Sequence, residues 1–214
     1  MRQFYYLLYG LVLAALVIFV LYLESAAPEL KTAILQENGP VESLSALGYF
    51  VCLGLLLFRS KRCGFRWYFA LILLFLGMRE LDFQARFLTM SLTKSRFYLS
   101  PAVPLAEKLI GAGVLLLFFG CIFLIIRNHW RSFLNSLRRL DPQAIGIAGG
   151  ILFIILSKTI DGLGRKLAAV GVTISQHLDG LSWSIEELLE LGIPILFLLA
   201  IAACSSNHPA PKQD

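Results

Sequence analysis

Apolar residues occur in six long runs along this chain, separated by shorter polar segments. A helix needs about 20 apolar residues to cross the roughly 30 Å of hydrocarbon in a bilayer. The pattern therefore predicts six membrane spans, at residues 4–23, 42–58, 67–87, 105–126, 143–162 and 185–204. The first and fourth runs are long and clean, whereas the others reach membrane length only by including charged residues at one end. We predict an all-α fold, a polytopic transmembrane helical bundle over residues 1–204 with a short cytoplasmic tail at 205–214.

Composition supports a lipid bilayer as the main partner of this chain. Hydrophobic residues make up 57% of it and charged residues 15%, and the mean hydropathy is +0.74. Soluble domains carry about 25% charged residues, so lipid must solvate part of the apolar surface. The net charge of +5 does not indicate nucleic-acid binding, because the cations lie in short loops between apolar runs. Compact spans and short loops favour the bacterial inner membrane as the location.

The distribution of charge predicts how the bundle is oriented. Cations are dense in two loops, Arg59–Arg66 and Arg127–Arg139, and short cationic loops face the cytoplasm. With six spans, both termini are then cytoplasmic. Of the fourteen acidic residues, twelve lie outside or within the spans, and only Asp141 and Asp214 lie on the cytoplasmic side. The first run exceeds the 7–15 residues of a signal-peptide core, so we expect a retained helix; its cleavage would leave five spans.

Several charges lie too deep in the spans to be loop residues. At about 1.5 Å per residue, the charges of the third span lie roughly 18–23 Å from its inner edge, and those of the fifth lie about 24–28 Å from theirs. A charge that faces lipid at such depth costs at least about 2.5–3.5 kcal/mol, so these groups are expected to turn inward. The predicted ion- or substrate-binding residues are Arg79, Glu80, Asp82, Lys158, Asp161, Glu186 and Glu190, with Glu42, Glu107 and Glu187 as further candidates.

Ion pairing within single helices offers a structural explanation for some of these charges. Arg79 and Asp82, and likewise Lys158 and Asp161, are spaced i,i+3 and have opposite signs, which places each pair on one helix face. Neutralisation in this way needs no ligand. It still leaves Glu80 as a third charge at similar depth in the third span.

Helix capping explains other charges equally well. Gly39-Pro40-Val41-Glu42 is typical of a helix start with proline at the first position and a glutamate in the first turn. Ser184-Ile-Glu-Glu187 matches a capping box, which predicts that the sixth helix begins there. Asp141 followed by Pro142 predicts the start of the fifth helix.

Glu190 is the charge that a purely structural role explains least well. It lies beyond the predicted capping turn, and Pro194 follows four residues later. The proline ring displaces the carbonyl of residue 190 from the helix ladder, which predicts a kink beside a buried acid. Broken helices with exposed carbonyls recur at membrane binding sites. In the preceding span, Gly146 and Gly150 form a GxxxG match that predicts close helix packing.

Three classes of function are open at this stage. The first, which we favour, is binding of a cation or of a polar substrate or headgroup at an outward-facing site, a role that a small transporter would fulfil; six helices form a small pathway, so transport would need a homodimer. The second is a metal-dependent membrane enzyme, in which carboxylates hold a hard divalent cation and act on a lipid or isoprenoid. The third is an assembly or regulatory subunit, whose charges pair with a partner membrane protein. His177 is the only outer histidine, which argues against a histidine-rich zinc site.

Overall fold

The computed structural model describes residues 2–36, 39–59, 66–83 and 95–204 of the chain. Within these ranges the protein is 86% helical and has no β-strand, as the apolar runs predicted. The helices are α1 (Arg2–Ser25), α2 (Pro28–Leu35), α3 (Pro40–Phe58), α4 (Trp67–Glu80), α5 (Ser95–Leu99), α6 (Leu105–Arg138), α7 (Pro142–Ile160), α8 (Leu163–Ala168) and α9 (Gln176–Cys204). The predicted tail at 205–214, most of the loop after Arg59 and the end of the predicted third span lie outside the described residues.

Five segments of the described chain, rather than six, are long and apolar enough to cross a membrane. They are Arg2–Ser25, Pro28–Phe58, Leu105–Arg138, Pro142–Ile160 and Gln176–Cys204. The predicted span at 67–87 does not meet this criterion, because α4 has 14 residues and a length of about 21 Å. The helix ends at Glu80, and Asp82 adopts a left-handed backbone conformation with φ 43°, which ends the α-helical path.

Two helices extend further than the sequence pattern indicated. The cationic stretch from Arg127 to Arg138 was predicted as a loop, but it is the last part of α6, which has 34 residues and a length of about 50 Å. Helix α9 begins at Gln176, so Ser184 lies inside the helix. The predicted capping box at Ser184 and Glu187 is therefore wrong. By contrast, Asp141 caps α7 as predicted, since its carboxylate accepts a hydrogen bond from the Gln143 N–H at 3.0 Å.

Hydrogen bonds between helix ends place one group of residues at the same end of the bundle. The Tyr9 hydroxyl near the start of α1 donates to the Pro142 carbonyl at the start of α7, at 2.8 Å. The Tyr68 hydroxyl at the start of α4 lies 2.7 Å from His129 Nε2, in the second half of α6, so α4 and α6 run antiparallel. This is the end that the sequence assigns to the cytoplasm, and that assignment stays a prediction.

Helix α9 is the centre of the bundle and packs against α7, α3 and α1. Its neighbour α7 approaches closely at Gly146, which lies against Tyr9 and Ala200, and at Gly150, which lies against the ring of Phe197. The close packing predicted from the GxxxG match is confirmed. The main core cluster contains Tyr9, Tyr49, Cys52, Leu56, Leu73, Phe153, Ile193 and Leu196.

Candidate functional site

Glu190 is the acceptor of two ion pairs that come from two other helices. Its Oε1 lies 2.8 Å from Lys158 Nζ on α7 and 3.3 Å from Arg79 Nη2 on α4. The Glu190 side chain is 15% exposed, whereas those of Arg79 and Lys158 are 45% and 40% exposed. The two cations therefore reach a carboxylate that is less exposed than they are, from the periphery of the bundle. One carboxylate between two cations fixes α4, α7 and α9 relative to one another.

The two ion pairs predicted within single helices have different outcomes. Lys158 Nζ lies 3.7 Å from Asp161 Oδ2, so this pair is confirmed, although its distance exceeds that of Lys158 to Glu190. Arg79 pairs with Glu190 instead of Asp82. The reason is that α4 ends at Glu80, so Asp82 no longer follows Arg79 on a helix face.

Glu80 is the most deeply buried carboxylate at this level, with 7% of the residue exposed. In the described part of the chain its side chain makes no ion pair and no hydrogen bond, but it interacts electrostatically with Glu190, Arg79, Lys158 and Glu42. Tyr49 on α3, which is 1% exposed, interacts with the same charges of α4 and α9. Glu80 is therefore enclosed in the cluster without a direct counter-ion there.

Further carboxylates surround this centre. Glu186 interacts electrostatically with Asp161, Glu190, Lys158 and Lys166. Glu187 interacts with Glu190, Glu186 and Glu42, and it accepts a hydrogen bond from Trp183 Nε1 at 3.3 Å. Helices α3, α4, α7 and α9 thus bring most of the predicted site residues together, and we call this group the Glu190 cluster. It consists of Glu42, Arg79, Glu80, Lys158, Asp161, Glu186, Glu187 and Glu190.

Two predicted site residues are not among these. Glu107 lies in the first turn of α6, and Asp82 lies beyond the end of α4. The three ion pairs of the Glu190 cluster do not include either of them. Helix α6 packs mainly on α4, for example through the edge-to-face contact of Phe118 with Phe75.

Pro194 changes the backbone directly beside the Glu190 side chain. It has no N–H to donate to the carbonyl of Glu190, and the Ser45 hydroxyl on α3 donates to that carbonyl at 3.2 Å instead. The Cys52 thiol donates in turn to the Pro194 carbonyl at 3.2 Å. These two side chains were not foreseen from the sequence. The only indication in the sequence was the seven-residue spacing of Ser45 and Cys52, which places a hydroxyl and a thiol on the same face of an otherwise apolar helix.

A second polar network links α1, α2 and α9, and sequence reasoning missed it as well. Lys31 Nζ lies 2.6 Å from Glu24 Oε1 and donates to the Gly180 carbonyl at 3.0 Å. The Ser184 hydroxyl donates to the same Glu24 oxygen at 2.7 Å. Ser184 therefore attaches α1 to α9 rather than capping a helix. The network thus holds α2 against α1 and α9.

Comparison with protein-family models, with curated proteins and with solved structures found no match to this chain.

The positions of the side chains that could ligate a metal do not favour a bound metal ion at this site. In the ranges that the structure describes, no three His, Cys, Asp or Glu side chains converge as metal ligands would. Lys158 and Arg79 already occupy the exposed side of Glu190 Oε1. A cavity of about 290 Å³ lies at the opposite end of the bundle, between α6 and α7 near His129 and Asp141, so it is separate from the Glu190 cluster.

Proposed function

We propose that this integral membrane protein binds a cation at the Glu190 cluster and acts as a small cation-coupled transporter. The observation that carries the proposal is the imbalance of charge. In the part of the chain that the structure describes, the carboxylates of Glu80, Asp161, Glu186, Glu187 and Glu190 come together, and the cations that interact with members of this group are Arg79, Lys158 and Lys166. Where carboxylates outnumber cations at close range, a further positive charge is attracted.

The geometry also supports exchange at this site. Arg79 and Lys158 are each more than a third exposed, while Glu190 is 15% exposed, so a competing cation can displace either side chain without opening the core. Pro194 interrupts the backbone ladder at the same level, and one buried hydroxyl satisfies the carbonyl that it frees. Backbone carbonyls beside helix interruptions contact ions in transporters, and the Glu190 carbonyl would become available to an ion once the Ser45 hydroxyl moves away.

Transport can be tested in proteoliposomes that contain the purified protein and a pH-sensitive dye in the lumen. Pulses of sodium, potassium or an organic ammonium salt are expected to change luminal pH with the wild-type protein. Glu190→Ala and Arg79→Ala should abolish the response while membrane insertion stays intact. Glu29→Gln is the matched control, because Glu29 is exposed on α2. A wild-type response that persists in Glu190→Ala would contradict the proposal, and misassembly of both variants would make the charges structural.

A second candidate is an assembly or regulatory subunit, and the exposure of Arg79 and Lys158 favours it. Side chains that are 45% and 40% exposed at this level face lipid unless water or another protein covers them. Cross-linking in membranes distinguishes the two functions. A homodimer that forms through α4 and α7 is compatible with transport, whereas quantitative capture of a different membrane protein favours the subunit.

The metal content of the purified protein distinguishes a metal-dependent membrane enzyme from a transporter and from an assembly subunit. A near-stoichiometric divalent metal in purified protein, lost in Glu190→Ala, would support hydrolysis of a lipid or isoprenoid substrate. The arrangement of donors described above leads us to expect no such metal.

A further inference from the structure

We propose that Glu80 is the proton-binding group of the Glu190 cluster, whereas Glu190 is the ion-pair partner of Arg79 and Lys158. This inference rests on the proposed function and makes it more specific, because it names the proton as the coupling cation and assigns it to one side chain. The two carboxylates lie on different helices, α4 and α9, and have different surroundings.

Burial without a partner is the first argument for Glu80. The residue is 7% exposed, and its carboxyl group makes no hydrogen bond or ion pair within the part of the chain that the structure describes. An ionised carboxylate on a residue with so little exposed area is costly without a partner, and uptake of a proton relieves that cost. The neutral acid therefore fits this position better than the anion does.

The charges around Glu80 support the same assignment. Glu42 on α3 and Glu190 on α9 are like charges, while Arg79 on α4 and Lys158 on α7 are opposite charges. Both of these cations pair with Glu190, at 3.3 and 2.8 Å, and neither forms an ion pair with Glu80 in the described ranges. Tyr49 adds a buried hydroxyl from α3, and α6 packs on α4 through apolar groups such as Phe118.

A proton suits this place better than a metal cation. Ions such as sodium or magnesium need several oxygen ligands around one point, and no three acidic or other metal-binding side chains converge in the described ranges. A proton needs one oxygen. Displacement of Arg79 or Lys158 from Glu190 frees a cation that can approach Glu80, which gives a direct route by which binding of a second cation releases the proton.

Infrared spectroscopy of the reconstituted wild-type protein is the first test. A protonated carboxyl group in an apolar site has a resolved carbonyl stretch, which shifts in D2O. We expect this band at neutral pH in wild type, its loss in Glu80→Gln and its retention in Glu29→Gln. Absence of the band from wild-type protein would overturn the proposal without use of any variant. Retention of the band in Glu80→Gln would overturn it too.

Stability provides a second readout in case a variant folds poorly. Replacement of a neutral acid by an amide of the same shape should leave the melting temperature of Glu80→Gln close to that of wild type. Glu190→Gln should lower it, because two cations lose their counter-ion. The reverse order would assign the proton to Glu190. In that case cation-driven pH changes in proteoliposomes would persist, so the inference fails while the proposed function stands.

Discussion

The hydroxyl of Ser45 donates a hydrogen bond to the backbone carbonyl of Glu190, 3.2 Å away on a neighbouring helix. Pro194, four residues later, has no N–H to donate to that carbonyl. Gly48, one turn after Ser45, lies directly against the Pro194 ring, where a Cβ would approach to 2.8 Å. The proline thus fixes how α3 packs on α9 beside the most important carboxylate of the site.

Loss of the Ser45 hydroxyl should destabilise the protein through this one hydrogen bond. Interhelical hydrogen bonds of this kind contribute about 0.6–1.7 kcal/mol in membrane proteins, and we expect Ser45→Ala to lower the free energy of unfolding by that amount. Ser43→Ala is the control, because Ser43 is exposed on the same helix. Unfolding by sodium dodecyl sulfate in mixed micelles measures both variants. In a Pro194→Ala background the helix can satisfy the Glu190 carbonyl itself, so the cost of Ser45→Ala should fall.

The two ion pairs of Lys158 should differ in strength. Lys158 lies 2.8 Å from Glu190, which is 15% exposed, but 3.7 Å from Asp161, which is 43% exposed. Exposed pairs contribute about 0.2–1 kcal/mol, so the coupling energy of Lys158 with Asp161 should be at the low end of that range. The coupling with Glu190 should exceed it. Double-mutant cycles with Lys158→Met, Asp161→Asn and Glu190→Gln give both numbers, and equal couplings would contradict the geometry.

Close packing of α7 on α9 predicts a large effect at Gly150. A Cβ at this position would collide with the ring of Phe197, and overpacking of a well-packed core costs about 1–3 kcal/mol. Gly150→Ala should therefore lower the free energy of unfolding by that amount. At Gly120 on α6 nothing lies within 4 Å of the added Cβ, so Gly120→Ala should be neutral or stabilise by up to about 1 kcal/mol. Similar losses for both variants would show that the α7–α9 contact is looser than described.

Membrane orientation can be tested with reporter fusions. A reporter after position 60 should be cytoplasmic, and one placed between residues 165 and 180 should be external, if the cationic segments face inward. The end that contains Tyr9, Tyr68, His129 and Pro142 would then be the inner one, with the Glu190 cluster nearer the outer surface. The opposite pattern would invert the orientation, and the cluster would face the cytoplasm.

The sequence was sufficient for features that depend on residues a few positions apart. Apolar runs predicted the helical, membrane-embedded class, since lipid requires continuous apolar helices with internally bonded backbones. Asp141 and Pro142 predicted the start of α7, because capping involves only the first turn. Pro194 predicted a carbonyl of Glu190 without a helical donor, because proline acts on the residue four positions before it.

Tertiary structure decided which groups meet, because through-space distances depend on the packing of helices that are remote in sequence. Arg79 has Asp82 three residues away but pairs with Glu190, since α4 ends at Glu80 and α9 packs nearby. Ser184 matches a capping signature but bonds Glu24 from within a longer helix, since local sequence does not reveal that α9 begins at Gln176. The same holds for Glu80 and Glu190. Both are glutamates in apolar helices, but the neighbouring helices give Glu190 two ion pairs and leave Glu80 buried without one in the described ranges.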